Sequence, residues 1–596
     1  MLTRAQQYAL GRGMMVESEL AVEEALAPLD PLLKRLARRR IRKLLRRVEL
    51  ETASSDPGHR LRLAYLFGAG QRVEDPENVQ QVRELVGPLP PPQSVGRTGP
   101  WLVGLLGALV LSCIAASVLV AHRLRPFAPR ETPVGALLGR DLSDYTVALS
   151  RRDADAMAAA ARNLTNPSAS QALGAMGSQR LNDVLASMRK LDAAEGDESG
   201  RVEAFQNAVT LLDTSLQAQQ LPFFVDAEVR FAPRAQPLPM SYFVQREASA
   251  AANGKSYRVV RLWRLDDIRI HQGALGFTRP HTPAAIVLLD QVEADLVRYV
   301  LPAAAPMGSV ELTDDATREK GEPWVVELEA RASKAVAAHF HALGGAPAAD
   351  AIRIGTLLSR RRNLVRKWAA LLRGQGLELT TPVWLFPAVD YAKELELRIP
   401  RADLQDWSDL HDELHERLPG FEALRDRFAQ GVERHEVQHR IEYGRGLVPV
   451  PKLLCDVLGV ENPLDAPYGT LAARARDEAA AYLAEIARPG DSPLLDLVIL
   501  SHFFLDQQQH GTPYTYAALE VYAAVGKALG IDVDAMLGRS ISRERFARLA
   551  ESVWERGPDE VREAAKRGYA ADFAGELPEV SFASVREGPR YRPDGR

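Results

Sequence analysis

Residues 435–439 read His-Glu-Val-Gln-His, and this pentapeptide constrains the local structure more than any other part of the chain. In an α-helix, His435 and His439 lie one turn apart on the same face, within reach of a single metal ion. Glu436 then faces a water molecule bound to the ion rather than the ion itself. The pattern therefore predicts a helix that carries a Zn²⁺ site of the hydrolytic type, with Glu436 as the general base.

The sequence around the pentapeptide supports a helix. Residues 421–443 contain no proline, and their apolar side chains recur at roughly helical spacing. Glycines at 444 and 446 and prolines at 449 and 451 are typical signals for the end of a helix. The apolar positions are Phe421, Leu424, Phe428, Val432 and Ile441.

A catalytic zinc ion takes three protein ligands and keeps a fourth position open. Glu478 is the preferred third ligand, because the alanine-rich helical stretch 476–485 could pack closely against the histidine helix. Glu485 lies seven residues further along the same face and is expected to support the ligands from behind. Glu442, three residues after His439, remains an alternative third ligand.

With these residues the chain resembles the zincin metallopeptidases, and within them the gluzincins, over roughly residues 380–530. The resemblance rests on the pentapeptide and on the Glu-x-x-Ala-Tyr arrangement that begins at Glu478. It implies that His435, His439 and Glu478 bind Zn²⁺, that Glu436 is the general base, and that the substrate is a peptide or protein. The Asn-Glu-x-x-Ser-Asp signature of the thermolysin-like members is absent from the sequence.

Zincins also supply a tyrosine or histidine that holds the developing oxyanion. His510 and Tyr514 are the predicted catalytic residues for this role, and Tyr516, Tyr482 and Tyr443 are alternatives. A packing role is the competing interpretation for each of them.

The resemblance further implies a strand above the metal that pairs with extended substrate, and residues 382–399 are the predicted position of that strand. A second histidine pair, His411 and His415, has the same spacing. Its glutamate follows the first histidine by two places instead of one, so an exposed polar helix face is the preferred interpretation there.

Residues 101–121 form a run of 21 uncharged and mostly apolar residues. As a helix, the run would cover about 30 Å, the thickness of the hydrocarbon core, so it predicts a single membrane span. Residues 34–47 contain nine cations and favour a cytoplasmic N-terminus, although Arg123 and Arg125 beside the span argue for the opposite orientation. The resulting prediction is a bacterial inner-membrane protein with a periplasmic C-terminal domain. Small residues at every fourth position from Gly104 to Ala116 could pair two copies through the span.

The predicted fold class is α+β, with a mainly helical zincin-like C-terminal domain, a small β-containing middle domain and one transmembrane helix. Apolar and partly alternating runs beginning at 223, 240, 257 and 285 predict the strands of the middle domain. The predicted divisions are a cytoplasmic basic region and linker at 1–100, the span at 101–121, a helical region at 122–220, a β-rich module at 221–320, the metallopeptidase domain at 321–576 and a disordered tail at 577–596.

The net charge of −4 does not indicate a strongly charged partner, and no nucleic-acid motif accompanies the basic stretch. The functional prediction is a membrane-anchored zinc metallopeptidase. The alternative is a catalytically silent protein of the zincin fold that acts as a binding or scaffold module. A di-iron bundle is disfavoured, because Glu436-x-x-His439 has no convincing second copy.

Overall fold

The computed structural model describes residues 127–592, and all of them belong to one compact unit, Pro126–Arg596. Short internal gaps interrupt the description at 194–196, 232–234, 267, 269–273, 280, 307, 375, 377–378, 380–384, 387–397, 446–447, 465, 468, 491–492, 539–540 and 574. The predicted basic region, linker and membrane span at 1–121 lie outside the described residues, and so does most of the predicted substrate strand at 382–399.

The described residues form an α+β mix in which a curled sheet packs among many helices. As far as the described residues reach, the structure contradicts the transmembrane part of the predicted fold class, and with it the single-pass inner-membrane localisation. Within residues 127–592, no helix combines the length and the apolar character that a bilayer crossing requires.

The helices are numbered in chain order. The helices before the sheet are α1 (Pro133–Ala136), α2 (Leu142–Arg151), α3 (Ala154–Leu164), α4 (Pro167–Asp192) and α5 (Glu198–Ala218). Those between the sheet and the pentapeptide are α6 (Leu289–Asp295), α7 (Leu301–Ala304), α8 (Asp315–Glu319), α9 (Pro323–Leu343), α10 (Gly345–Arg373) and α11 (Arg401–Glu416). The remainder are α12 (Leu418–Tyr443), α13 (Lys452–Leu458), α14 (Leu471–Ile486), α15 (Pro493–Leu505), α16 (Pro513–Ala528), α17 (Val533–Leu537), α18 (Arg543–Trp554) and α19 (Pro558–Asp572).

The sheet has six strands. They are β1 (Phe223–Phe231), β2 (Ala235–Ala252), β3 (Lys255–Arg264), β4 (Gly276–Phe277), β5 (Ala284–Leu288) and β6 (Ser581–Glu587). Their order is β1-β2-β3-β5-β4, and β6 pairs with the far part of β2. Strands β3 and β5 run parallel, whereas β4 runs antiparallel to β5 at the end of the order. The short strand β4 is therefore an edge strand.

Helix α12 lies across this sheet and connects it to the rest of the helices. Val437 and Ile441 of α12 pack on small side chains of β2, β3 and β5, including Ala250 and Ala285. Phe421 and Leu424, at the other end of the helix, belong to the large helical core. The predicted helical region, β-rich module and metallopeptidase domain all contribute buried residues to that one core.

Residues 577–592 of the segment predicted as a disordered tail have a definite structure instead. Residues Ser581–Glu587 form β6 against β2, and the chain continues along the sheet to Tyr591 and Arg592. The ring of Tyr591 packs edge-on against Phe243 at 5.4 Å, and Arg592 forms an ion pair with the buried Glu293. The proline and arginine content of the tail therefore does not reflect disorder, because its partners lie on distant strands and helices.

Candidate metal centre

Helix α12 is buried on nearly every side around the pentapeptide. His435, Glu436 and His439 expose 7%, 4% and 7% of their surface. The flanking charges are paired rather than solvated: Glu433 accepts from Arg261 at 2.7 Å and from Arg246 at 3.3 Å. Burying so many charged groups on one helix is unfavourable unless each has a partner. This burial argues against a merely solvated helix face.

Helix α14 brings the third donor to the histidines. Thr470 caps its N-terminus by accepting a hydrogen bond from the backbone of Ala473, and the fully buried Ala475 and Ala479 allow close approach to α12. Glu478 lies one turn after Ala475, and its carboxylate approaches both imidazoles. The predicted choice of Glu478 as third donor agrees with this geometry.

The three donor atoms form a nearly regular triangle. Nε2 of His435 lies 3.2 Å from Nε2 of His439 and 3.3 Å from Oε2 of Glu478, and the third side of the triangle measures 3.6 Å. Ligands about 2.0–2.1 Å from a tetrahedral zinc ion are separated by about 3.4 Å. Two imidazole nitrogens and one carboxylate oxygen at this spacing fit Zn²⁺ with one position left over. Among the described residues, this is the one cluster of histidine, cysteine and acidic side chains with metal-binding spacing.

Glu485 and Tyr482, also on α14, support His435 from behind. Oε2 of Glu485 lies 3.2 Å from Nδ1 of His435, and the Tyr482 ring packs edge-on against the imidazole at 4.5 Å. Gly431 of α12 makes room for this arrangement, because a Cβ atom there would come within 2.8 Å of Glu485 Oε1. The supporting role predicted for Glu485 agrees with these contacts.

Glu436 does not join the donor triangle. Its Oε2 atom accepts a hydrogen bond of 2.8 Å from the Thr278 hydroxyl, just beyond edge strand β4. Gly276 of β4 permits the approach, since a Cβ atom there would lie 2.7 Å from Glu436 Oε1. Tyr443 adds a hydrogen bond of 3.1 Å to the backbone carbonyl of Thr278. The sheet edge thus fixes the carboxylate beside the donors.

The charges of the cluster favour a cation at its centre. Burial by itself would lower the pKa of His435, but hydrogen bonds to Glu478 and Glu485 outweigh it and raise that pKa to about 10. Burial would raise the pKa of Glu478, but the two imidazoles hold it well below its usual range. Zinc requires neutral imidazoles, so zinc binding here releases protons. Burial raises the pKa of Glu436, as a general base requires.

A cavity of about 920 Å³ opens in front of the donor triangle, and Glu436 lies in its wall. Tyr514, at the start of α16, lines the same cavity and stacks on Phe503 at 5.2 Å. The negative charge of Glu478, together with burial, raises the pKa of Tyr514, so its hydroxyl stays protonated and able to donate. The structure therefore brings Tyr514 to the site.

His510 is not brought to the site. Its side chain is exposed, and its Nε2 atom lies 3.2 Å from the Phe504 carbonyl oxygen, outside the set of cavity-lining residues. The alternative ligand Glu442 also points elsewhere, since it accepts hydrogen bonds from Gln438 and Tyr569. His411 and His415 pack against Phe386, and no metal-binding cluster among the described residues includes them.

Sequence reasoning missed Gly276 and Thr278, which position the predicted base. Gly276 lies in the two-residue strand β4 and Thr278 directly follows it, and no motif identifies either residue. No protein-family model matches the chain, and no curated protein or solved structure is significantly similar to it.

Proposed function

We propose that this protein is a zinc-dependent hydrolase that cleaves peptide bonds. The observation that supports the proposal most strongly is the donor triangle of His435, His439 and Glu478, with sides of 3.2, 3.3 and 3.6 Å, beside a buried carboxylate that is not itself a ligand. A structural zinc site would be closed by a fourth protein ligand, whereas this one faces a cavity.

His435, His439 and Glu478 would hold Zn²⁺, which as a Lewis acid polarises the scissile carbonyl and makes water acidic enough to lose a proton near neutral pH. Glu436 takes that proton as the water oxygen bonds to the carbonyl carbon. It then passes the proton to the amide nitrogen as the C–N bond breaks, which yields one carboxylic acid and one amine. Tyr514, which lines the same cavity, would donate a hydrogen bond to the oxyanion that forms between the two steps.

Peptides are the favoured substrates because of strand β4. It ends the sheet order, so one side of its backbone has no strand partner among the described residues, and it lies directly beside Glu436. An extended peptide can add to such an edge through main-chain hydrogen bonds. The proposed substrate strand is thus β4 rather than residues 382–399.

The test uses the full chain and three forms of it. Wild-type protein should bind close to one zinc per chain by elemental analysis and cleave peptides in a denatured protein mixture. Glu436→Gln should keep the zinc and lose cleavage, whereas Glu478→Gln should lose both. Glu422→Gln, on the same helix but outside the cavity, is the matched control and should behave as wild type.

Stoichiometric zinc without cleavage by any form would favour the alternative, a binding or scaffold module with the same donor set. Absence of zinc from correctly folded wild-type protein would contradict the metal centre itself.

A further inference from the structure

One carboxylate in the cavity wall belongs to Asp295, the last residue of α6. Within the described part of the chain no hydrogen bond or ion pair reaches it, although the positive charge of Arg298 acts on it. The guanidinium group of Arg298, one turn further on, lies over the Tyr299 ring at 4.8 Å instead.

The other carboxylates of this cavity wall are engaged. Glu485 contacts His435 at 3.2 Å, and Glu228 accepts a hydrogen bond from Arg279 at 3.3 Å. Asp496 also has an interaction of its own. Asp295 is half-buried and lines the cavity, so a cation that enters the cavity can pair with its carboxylate.

Several apolar residues line the cavity together with Asp295. Tyr299 packs against His502 of α15 at 5.0 Å, and this contact joins the end of α6 to α15. Ile499 and Phe503 of α15 line the same cavity as Asp295. Val432 and Phe428 of α12 also line this cavity, one and two turns before His435.

Apolar residues together with a carboxylate that has no ion-pair partner match the chemistry of a lysine or arginine side chain. The walls cover the methylene groups, and the carboxylate meets the charged end. Burial raises the pKa of Asp295 to about 7, although Arg298 opposes the shift. A bound cation would restore the charged carboxylate. An acidic side chain would be repelled, and an apolar one would leave the carboxylate without a partner.

We infer that this part of the cavity is a specificity pocket for a basic side chain of the substrate, with Asp295 as its counter-charge. That the basic side chain belongs to a substrate rests on the proposed peptidase function. Binding of such a side chain in the pocket does not depend on catalysis and can be tested separately.

The kinetic test uses full-length protein and peptides that differ at one position, with lysine or norleucine placed at each site in turn. Wild-type protein should cleave the best lysine peptide at least tenfold faster, in kcat/KM, than its norleucine partner. Asp295→Asn should abolish this preference, whereas Asp295→Glu should retain it. Glu228→Gln is the matched control, a carboxylate of the same wall that already has a partner, and should keep the preference. Zinc content and circular dichroism verify that each variant is folded.

The binding test uses metal-free protein, and it measures the affinity for N-acetyl-lysine methylamide against N-acetyl-norleucine methylamide. A difference of about tenfold that Asp295→Asn removes supports the pocket even if no peptide is cleaved, in which case the proposed function fails alone. Cleavage with equal rates for lysine and norleucine peptides, or a preference that persists in Asp295→Asn, overturns the pocket and leaves the peptidase standing.

Discussion

The carboxylate of Glu485 lies 3.2 Å from Nδ1 of His435, on the side of the imidazole away from the Nε2 atom that faces His439 and Glu478. A hydrogen bond at Nδ1 places the proton there and leaves the Nε2 lone pair free to bind a metal. Glu485 would thus prepare His435 as a ligand of the proposed zinc ion without belonging to the donor triangle.

Replacing Glu485 should weaken zinc binding. In Glu485→Ala, His435 loses the group that fixes its tautomer and ring orientation, and we expect the zinc affinity to fall about 10- to 100-fold. Competition with a chromophoric chelator measures this affinity directly. The exposed Glu461→Ala serves as the control. An unchanged affinity in Glu485→Ala would show that Glu485 only packs against the ring.

Gly276→Ala should impair catalysis while sparing the metal. The added Cβ atom would clash with the backbone carbonyl oxygen of Ile286 in β5 and lie 2.7 Å from Glu436 Oε1, so β4 and the Glu436 carboxylate must move apart. The donor triangle on α12 and α14 is not among the atoms it meets. A displacement of this size is expected to lower kcat about 100-fold at unchanged zinc content. Gly557→Ala, where an added Cβ atom meets nothing within 4 Å, is the control. Equal loss of zinc and activity would contradict a positioning role.

The last described residues should contribute strongly to stability. Arg592 forms an ion pair with Glu293, whose carboxylate is almost fully buried, and its guanidinium group lies over the Phe386 ring at 4.9 Å. Arg592→Met leaves that buried charge without its cation and should reduce the free energy of unfolding by about 3–5 kcal/mol. Urea denaturation measures the effect.

The double variant Arg592→Met/Glu293→Gln tests the cause of that loss. It should recover part of the stability, because no unpaired charge remains. Additive losses in the double variant would mean that the ion pair is not the source of the effect.

Asp213 should give the fold a measurable dependence on pH. Burial raises its pKa to about 7, against the opposing charge of Arg258, whereas an unfolded aspartate titrates near 4. Between about pH 4 and 7 the folded state therefore binds more protons than the unfolded state, and the free energy of unfolding falls as pH rises through this window.

Asp213→Asn removes this contribution. Relative to the variant, the wild type should lose on the order of 1–3 kcal/mol between pH 4.5 and pH 8, as thermal or urea unfolding at several pH values would show. Asp183→Asn, at an exposed position, controls for general charge effects. Parallel pH profiles for Asp213→Asn and wild type would contradict the assignment.

The sequence was informative where the signal is local. The helix spacing of His435 and His439, and the alanine-rich stretch that carries Glu478, depend on neighbouring residues alone, and both predictions agree with the structure. The role of Thr278 could not be predicted from neighbouring residues, because its hydrogen bond to Glu436 joins residues 158 positions apart. His510 was predicted at the site for a related reason, its nearness in sequence to Tyr514. Its side chain lies instead against the nearby backbone carbonyl of Phe504.

Composition was misleading at the C-terminal segment. Prolines and arginines at 577–596 resemble a disordered tail, yet Arg586 and Arg592 form ion pairs with Glu247 and Glu293. Such pairs become visible only when the strands and helices that supply the acidic partners are in place.

The contact between Thr278 and Glu436 has a consequence for the order of folding. The three donors lie within one stretch of chain, from residue 435 to residue 478, whereas the base is fixed by a strand that precedes it by 158 residues. Closing a longer loop costs more conformational entropy, so contacts within the short stretch form at lower cost than the docking of β4. Under the proposed function, pairing of α12 with α14 would let the three donors bind zinc before Glu436 is fixed, so metal binding would precede the ability to hydrolyse any chain, the protein's own included.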